Sequence, residues 1–289
     1  MSHTSEFPNF IDAGRYLRGW SERTVRTYTQ GLATLGDTPL TKAGLAIWVR
    51  SMRDRGLTPG GINMYARSVN SFLTWALDEG IVSERLKVRL LPDPPKPLTP
   101  ISDTEIRRVI TFRLKGRLQG RTATLIVLLL DTGLRIDEAL SLDRDHIDLH
   151  NCMVRVRGKG NRERIVPISL ECRKRLYTWL KGGAKSGPVF ATRSGLRLTS
   201  RNAYRDIKAV CGQAGVVGSH IHPHAFRHCF AVTYIRRGGD IYRLSRLLGH
   251  ASITTTQRYL RSMGADTINE GHQRLSPLTP LGGERTDRL

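Results

Sequence analysis

The sequence predicts a mainly α-helical protein with one small β-sheet, divided into two domains. Apolar residues recur at helical spacing along most of the 289-residue chain. One stretch between residues 153 and 168 is rich in β-branched residues and is typical of strands. A proline-rich stretch near residue 95 interrupts the helical pattern. The chain is long enough for each of two domains to bury its own core.

The N-terminal helices are each predicted to begin at a residue that caps helices well. Ser21 precedes the first, Thr41 the second, and Thr58 followed by Pro59 the third. Behind each cap, apolar residues recur every three or four positions, as on the buried face of a helix. We therefore predict a small helical bundle.

A linker is predicted between the domains. Residues 91–100 contain five of the chain's 13 prolines. Proline fixes φ and disfavours helix in the residue before it, so this stretch must be extended.

The second domain begins with the capping-box pattern Ser102-Asp103-Thr104-Glu105. A strongly apolar helix runs from Arg121 to Leu130 and ends at Thr132-Gly133. A hairpin follows, with its turn at Gly158-Lys159-Gly160-Asn161, and helices return from Leu170. The tail is rich in proline, glycine and charge, which predicts a mobile or partner-dependent segment. The predicted divisions are a helical first domain (1–91), a linker (92–100), a second domain (101–270) and a tail (271–289).

The chain is strongly basic, with 46 Lys and Arg against 25 Asp and Glu, a net charge of +21. Such an excess favours polyanions, of which nucleic acid is the commonest. A basic solvated surface is the alternative. The charge is unevenly distributed, with 13 basic and 9 acidic residues up to Pro97 and 33 and 16 after it. This asymmetry indicates a binding surface in the second domain.

Membrane, secreted and disulfide-stabilised classes are disfavoured. The longest apolar run, Leu125–Leu130, is too short to span a bilayer. The first residues lack the basic start and apolar core of a signal peptide, so a cytoplasmic location is expected. The four cysteines lack metal-site spacing, and we predict that they are buried thiols: Cys152, Cys172, Cys211 and Cys229.

The second domain also carries residues able to cleave a phosphodiester without a metal ion. That chemistry needs a nucleophile attacking in line, cations that neutralise the non-bridging oxygens, and an acid that protonates the leaving oxygen. Four short motifs supply candidates for these tasks.

Arg135 and Lys159 are the first two candidates. Arg135 follows a glycine turn at the start of a helix, where anions bind well, and Glu138 can hold its guanidinium. Lys159 stands in a glycine-flanked turn that can approach DNA closely, and it can donate a proton if its site is desolvated. Taken alone, Arg135 with Glu138 is more typical of an ordinary surface ion pair, and the Lys159 turn is more typical of a solvated basic turn.

The other two motifs are His224 with Arg227, and His250 with Tyr259. His224 and Arg227 stand three residues apart at a helix start, where an imidazole and a guanidinium fork can face one point. His250 follows a helix-ending glycine, and Tyr259 lies two turns into the next helix. Singly, these motifs are also compatible with a structural histidine cluster and a half-buried packing tyrosine. Pro223 and the lack of acidic or thiol partners disfavour a metal site.

In this order and these contexts, the candidates resemble the tyrosine recombinase family, the phage-integrase or Xer-like site-specific recombinases. The resemblance is detailed from Ile101 to Leu260 and looser over the N-terminal helices. The motifs that carry it are Gly133-Leu134-Arg135 with Glu138, Gly158-Lys159-Gly160, His224-x-x-Arg227-His228 and Leu248-Gly249-His250.

The resemblance implies a role for each candidate. Tyr259 would attack the scissile phosphate, form a 3′-phosphotyrosyl link and release a 5′-hydroxyl. The non-bridging oxygens would be bound by Arg135, Arg227 and His250. Lys159 would protonate the leaving oxygen, His224 would assist proton transfer at Tyr259, and Glu138 would support Arg135. No metal or other cofactor is implied, because the phosphotyrosine conserves the bond energy for religation.

The same resemblance implies an architecture and an assembly. A SAM-like core-binding bundle and a mixed α/β catalytic domain would form a C-shaped clamp around double-stranded DNA. A homotetramer on two DNA sites is expected, with or without a partner recombinase, and residues Thr267–Leu275 would dock on a neighbouring protomer. The early start of the helical part favours an Xer-like or small mobile-element integrase or resolvase, associated with the nucleoid.

Two other functions remain open at this point. A type IB topoisomerase uses a similar tyrosine and arginine cage to relax supercoils, but the short lysine hairpin and Leu248-Gly249-His250 resemble recombinases more. A non-catalytic architectural DNA-binding protein is the second alternative, and the intact set of six residues argues against it.

Overall fold

The computed structural model describes residues 3–94, 101–112, 116–158, 163–181, 184–218, 220–250 and 252–261, without the side chains at 117–118 and 258–261. The chain divides into two compact units, Met1–Pro97 and Leu98–Leu289. The described residues are mostly helical with one three-stranded sheet, which confirms the predicted secondary-structure class. No described helix combines the length and apolar composition that crossing a bilayer requires.

The first unit is a helical bundle in which the three predicted helices begin at their predicted caps, whereas the short α-helix that precedes them was not predicted. The hydroxyl oxygens of Ser21, Thr41 and Thr58 each accept a hydrogen bond from the backbone N–H three residues later. Fully buried aromatic rings, among them Phe10 and Phe72, occupy the core. The helices are α1 (Phe7–Asp12), α2 (Glu22–Leu35), α3 (Lys42–Asp54) and α4 (Pro59–Asp78).

Two asparagines on α4 hold the extended segment that follows this helix. Asn70 exchanges two hydrogen bonds with the backbone of Val88, and Asn63 does the same with Leu91. Each amide thus satisfies an N–H and a C=O that have no strand partner. The extended segment before the predicted linker is therefore held against α4.

The second unit is built around an apolar helix. This helix, α6, contributes several fully buried residues to the core, and it packs against α8, α9 and α10. Its neighbours supply the rest of that core. The helices are α5 (Asp103–Thr111), α6 (Arg117–Thr132), α7 (Ile136–Leu140), α8 (Leu170–Lys181), α9 (Ser200–Gln213), α10 (Pro223–Arg236), α11 (Ile241–Leu248) and α12 (Ile253–Arg261).

An antiparallel sheet, in the order β1-β2-β3, lies against this core. Its strands are β1 (Ile147–Asp148), β2 (Met153–Arg157) and β3 (Glu163–Pro167). Val154 pairs with Val166 and Val156 with Arg164, so these four side chains share the inner face. The hairpin was predicted, whereas β1 has only two residues and is too short to show a strand period.

The prediction of four buried cysteines is wrong for Cys152, which is only partly buried. Cys152 lies in the turn between β1 and β2 with a φ of 55°, a left-handed conformation that is uncommon outside glycine. A side chain at a tight surface turn has little protein around it. The other three cysteines are buried.

Candidate active site

Two glycine-ended helices bring the predicted motifs together. The helix α6 ends at Gly133 and α11 ends at Gly249, and both glycines have a φ of 63°. This left-handed conformation turns the chain sharply out of a helix at little cost for glycine. Arg135 follows the first turn by two residues, and His250 follows the second by one.

Arg227 joins the two helix ends. Its side chain lies on α10 and is only 3% exposed. Its Nη1 donates to the Gly133 carbonyl at 2.7 Å, while Nη2 donates to the Leu248 carbonyl at 2.9 Å and lies 2.7 Å from Nε2 of His250. The structure therefore places the Gly133, Arg227 and Leu248-Gly249-His250 motifs at one point.

His250 is held in one tautomer by its two neighbours. A guanidinium can only donate, so Nε2 of His250 accepts from Arg227 and its proton resides on Nδ1. Nδ1 then donates to Oγ1 of Thr256 at 2.8 Å. Burial and the positive charges of Arg227, Arg135 and Arg164 lower the pKa of His250 to about 4, although Glu138 acts in the opposite direction. The ring is therefore neutral at physiological pH.

Arg135 and Glu138 have the predicted geometry. Arg135 precedes α7, and its backbone N–H donates to Oε2 of Glu138 at 2.8 Å. Its Nη1 donates to Oε1 of the same carboxylate at 3.0 Å. The Glu138 side chain is 7% exposed and that of Arg135 is 41% exposed. The carboxylate thus anchors a guanidinium that still faces solvent, where a phosphate can reach it.

His224 lies in the first turn of α10, on its exposed side. Partial burial and the charges of Arg227 and Arg135 lower the pKa of its imidazole, while Asp137 raises it. His224 and Arg227 stand three residues apart on α10, so they are neighbours on that helix.

Lys159 and the side chain of Tyr259 lie outside the described residues. The strands that lead to the Lys159 turn end at Arg157 and Glu163. Tyr259 belongs to α12, three residues after the fully buried Thr256, which bonds to His250. Positions three apart on a helix are neighbours, so α12 is attached to the cage about one turn before Tyr259.

The structure also shows two residues that the sequence analysis gave no role, Thr256 and Arg164. Arg164 is 15% exposed and forms two hydrogen bonds with Glu138, Nη1 to Oε1 at 3.0 Å and Nη2 to Oε2 at 2.9 Å. Its Nε donates to the Leu247 carbonyl at 2.9 Å. A signal existed in the alternation of β3: Arg164 shares the inner face with Val166, while the apolar Ile165 is 66% exposed.

Glu138 is charged despite its burial. Burial alone would raise the pKa of its carboxyl, but the hydrogen bonds and charges of Arg164 and Arg135 outweigh that effect and hold the pKa below its ordinary value. A carboxylate flanked by two guanidinium groups satisfies the requirement that buried charges be paired.

A possible metal-binding group lies elsewhere in the sequence. In the described part of the chain, the potential ligand atoms that come within 4.8 Å of one another belong to Asp143, Asp145 and His146. Asp143 already forms an ion pair with Arg197. None of the predicted site residues belongs to this group.

Comparison with known proteins now identifies the family. The sequence profile of the phage integrase family matches residues 101–265, more than half of the chain. The chain belongs to the phage integrase family. This confirms the predicted tyrosine recombinase membership and, with it, the predicted function and enzyme class: site-specific DNA recombination by strand breakage and rejoining.

Relatives of this family member extend along most of its length. It is 30% identical to the tyrosine recombinase XerC of Corynebacterium efficiens, over 87% of this chain and 84% of that protein. It is 31% identical to XerC of Yersinia pestis, over 85% of this chain and 87% of that protein. A solved structure of the Tn1549 transposon integrase in complex with a circular intermediate DNA has a TM-score of 0.77 at 18% identity, covering 93% of this chain and 99% of that chain. The latter likeness shows the shared fold.

Proposed function

We propose that this chain is an Xer-like or mobile-element recombinase that cleaves and rejoins DNA through a 3′-phosphotyrosyl intermediate. The observation that carries this proposal is the position of Arg227. Its hydrogen bonds to Gly133, Leu248 and His250 gather three separated motifs into one buried, positively charged site. A site of this kind suits a phosphate that gains charge during its transfer.

Phosphate binding is the proposed task of Arg135, Arg227 and His250. Guanidinium groups bind phosphate oxygens with paired, charge-assisted hydrogen bonds. Fixed donors aimed at developing charge contribute about 10²-fold to 10³-fold each in comparable enzymes. Glu138 supports this arrangement because it fixes both the backbone and the guanidinium of Arg135.

His250 must change its hydrogen bonding when a phosphate binds. In the free protein Nε2 accepts from Arg227, so it has no proton to give to a phosphate oxygen. A bound phosphate brings negative charge, which raises the pKa of the imidazole, and it also competes for the Arg227 N–H groups. We propose that the Arg227–His250 contact opens on binding and that both groups then donate to the phosphate.

The chemical step is proposed to run through Tyr259, His224 and Lys159. The Tyr259 oxygen forms a bond to phosphorus while the bond from phosphorus to the 5′-oxygen breaks. His224 assists removal of the phenol proton, and its lowered pKa leaves it neutral and able to accept one. Lys159 supplies the proton to the leaving 5′-oxygen. Reversal of these steps rejoins the strand without a metal ion or nucleotide.

The assembly on DNA is proposed by analogy with the family. The two units would close around double-stranded DNA as a clamp, with a SAM-like N-terminal bundle, and four protomers would act on two sites. A homotetramer and a pair of different recombinases are both compatible with this proposal. Residues 267–275, which lie outside the described part, would dock on a neighbour. We further propose that the protein acts in the cytoplasm, on the nucleoid.

A covalent adduct on a nicked suicide substrate tests the nucleophile. The substrate is made from DNA that flanks the gene. Tyr259→Phe is expected to bind this DNA but to form no adduct, since it lacks the phenol oxygen. Tyr242→Phe is the matched control, because Tyr242 is 70% exposed on α11 and should leave adduct formation unchanged. An adduct that persists in Tyr259→Phe refutes the assignment.

A plasmid assay separates the proposal from its two alternatives. The recombinase should exchange strands only between matched sites. Relaxation of a supercoiled plasmid without any such site would indicate a topoisomerase, and binding without either reaction would indicate an architectural protein. Binding should weaken steeply with salt, because it depends on phosphate contacts.

A further inference from the structure

We propose that Arg164 is a positioning residue for phosphate binding, which acts through Glu138 on Arg135 and through the end of α11 on His250. This inference rests on the proposed function, because it concerns how the proposed phosphate-binding groups are held. Arg164 itself lies on the inner face of β3 and contacts Glu138 and the Leu247 carbonyl.

The first link is the shared carboxylate. Each oxygen of Glu138 accepts from both arginines: Oε1 from Arg135 Nη1 and Arg164 Nη1, and Oε2 from the Arg135 backbone N–H and Arg164 Nη2. The carboxylate is buried, so its position is set by these four bonds. Arg164 supplies half of them from a strand 26 residues away.

Charge balance shows why Arg164 matters to a phosphate. Two guanidinium groups and one carboxylate carry a net charge of +1, and the Arg135 guanidinium is the more exposed of the two. Without Arg164, the charge of Glu138 would be balanced by Arg135 alone. Arg135 would then be drawn toward the carboxylate and would attract a phosphate less strongly. Arg164 therefore keeps the positive charge of Arg135 available.

The second link is the end of α11. Arg164 Nε donates to the Leu247 carbonyl, next to the Leu248 carbonyl that Arg227 binds. The two arginines thus satisfy consecutive carbonyls at a helix C-terminus, where positive charge is favourable. The Gly249 turn lies directly on the Arg164 guanidinium, since a Cβ at Gly249 would come within 2.9 Å of Nη1. His250 is the next residue.

The planar fork of arginine is needed for this arrangement. It meets both oxygens of Glu138 and the Leu247 carbonyl at once, whereas the single ammonium of lysine cannot reach all three. Arg164→Lys therefore preserves the charge and removes the geometry. Arg197→Lys is the matched control. Arg197 also binds both oxygens of an aspartate, Asp143, at 2.8 and 3.0 Å, and a backbone carbonyl, that of Leu140, at 3.0 Å.

Three scissile linkages test the assignment by single-turnover adduct formation. These are the natural phosphodiester, a methylphosphonate, which lacks one charged non-bridging oxygen, and a 5′-bridging phosphorothiolate, whose thiolate leaves without a proton. On the phosphodiester, Arg164→Lys should be slower than the unmodified protein by about 10-fold to 100-fold. That ratio should approach one on the methylphosphonate and remain large on the phosphorothiolate. Arg197→Lys should match the unmodified protein throughout.

Other outcomes overturn the proposal. Unchanged rates, equal slowing on all three linkages, or the same pattern in Arg197→Lys would each leave Arg164 without a positioning role at the phosphate. If the rate of Arg164→Lys instead recovered on the phosphorothiolate, Arg164 would act on the leaving group, through the Lys159 hairpin. A failure of the unmodified protein to form any adduct would refute the proposed function itself.

A double-mutant cycle keeps the test decisive if Arg164→Lys is unstable. In a Glu138→Gln background the carboxylate charge is already gone, so adding Arg164→Lys should slow adduct formation much less than it does alone. Thermal unfolding of each variant is measured in parallel. The rates of adduct formation are then compared at a temperature below the unfolding midpoint of the least stable variant. Full additivity of the two changes would contradict action through Glu138.

Discussion

The two glycine-ended helices of the site share a backbone conformation but differ in their surroundings. Gly133 and Gly249 both have a φ of 63°, and Arg227 binds the carbonyl of Gly133 on one side and that of Leu248 on the other. A Cβ at Gly133 would meet the Phe230 ring at 2.4 Å. A Cβ at Gly249 would instead meet the Arg164 guanidinium at 2.9 Å.

Because of this difference, we expect the helix end at Gly133 to be rigid, whereas the helix end at Gly249 is held mainly by charged groups. Apolar side chains packed around Gly133 cannot move without opening the core. The end at Gly249 is held by guanidinium groups and a neutral imidazole, whose bonds can be exchanged for those of a phosphate. We therefore expect the Gly133 turn to stay fixed and the Gly249 turn to respond to a bound phosphate.

The largest effect is expected when the residue common to both ends is changed. Arg227→Lys leaves a buried ammonium that cannot reach both carbonyls and His250. It should lower the free energy of unfolding by about 3 kcal/mol, because buried acceptors lose their donors. Adduct formation should fall by about 10²-fold to 10³-fold. Urea unfolding and suicide-substrate cleavage measure the two effects.

Arg197→Lys is again the control for Arg227→Lys. Arg197 also binds a backbone carbonyl and a carboxylate, those of Leu140 and Asp143, and neither of these residues is a predicted site residue. Equal loss of adduct formation in both variants would show that the carbonyl bridge between the helix ends has no special importance.

Alanine at each glycine tests the difference between the two ends. Gly133→Ala should lower the free energy of unfolding by about 3 kcal/mol, the sum of left-handed strain and a clash with the core. Gly249→Ala should lower it by about 2 kcal/mol, because the Arg164 guanidinium can shift. In folded protein, Gly249→Ala should slow adduct formation by about 10-fold, more than Gly133→Ala does.

Gly215→Ala calibrates the strain in these measurements. Gly215 has a φ of 72°, and a Cβ there would have no atom within 4 Å. The change should cost only about 1 kcal/mol and leave adduct formation intact. If Gly133→Ala and Gly215→Ala were equally stable, the proposed rigidity of the first end would be wrong.

Local signals were sufficient to predict much of the scaffold. The caps at Ser21, Thr41 and Ser102 and the helix-ending Gly133 and Gly249 depend on residues only a few positions apart, and the structure has all of them. The order of the site motifs predicted the family and the enzyme class, which the comparisons confirm. The individual catalytic roles, including those of Lys159 and Tyr259, stay predictions.

Contacts between distant residues could not be predicted in the same way. Arg227 reaches the Gly133 carbonyl across 94 positions, and Arg164 reaches Glu138 across 26. Such pairs depend on how β3 and α10 pack against α6 and α11, which no local pattern encodes. For Thr256, one of three consecutive threonines, only the packing of α12 decides which hydroxyl meets His250.

Acid should lower the stability of the folded protein through the protonation of His250. The pKa of His250 is about 4 in the folded protein and near 6.5 in an unfolded chain. Between these two pKa values, His250 is protonated in the unfolded chain but not in the folded protein. The free energy of unfolding must therefore fall as pH drops from 6.5 toward 4. Above pH 6.5 His250 is neutral in both states, so it makes no contribution to the pH dependence of stability. His222, His224 and His228 act in the same direction. His250→Gln should reduce the fall measured by urea unfolding between pH 7 and pH 5 without abolishing it, and an identical fall in both proteins would contradict the lowered pKa of His250.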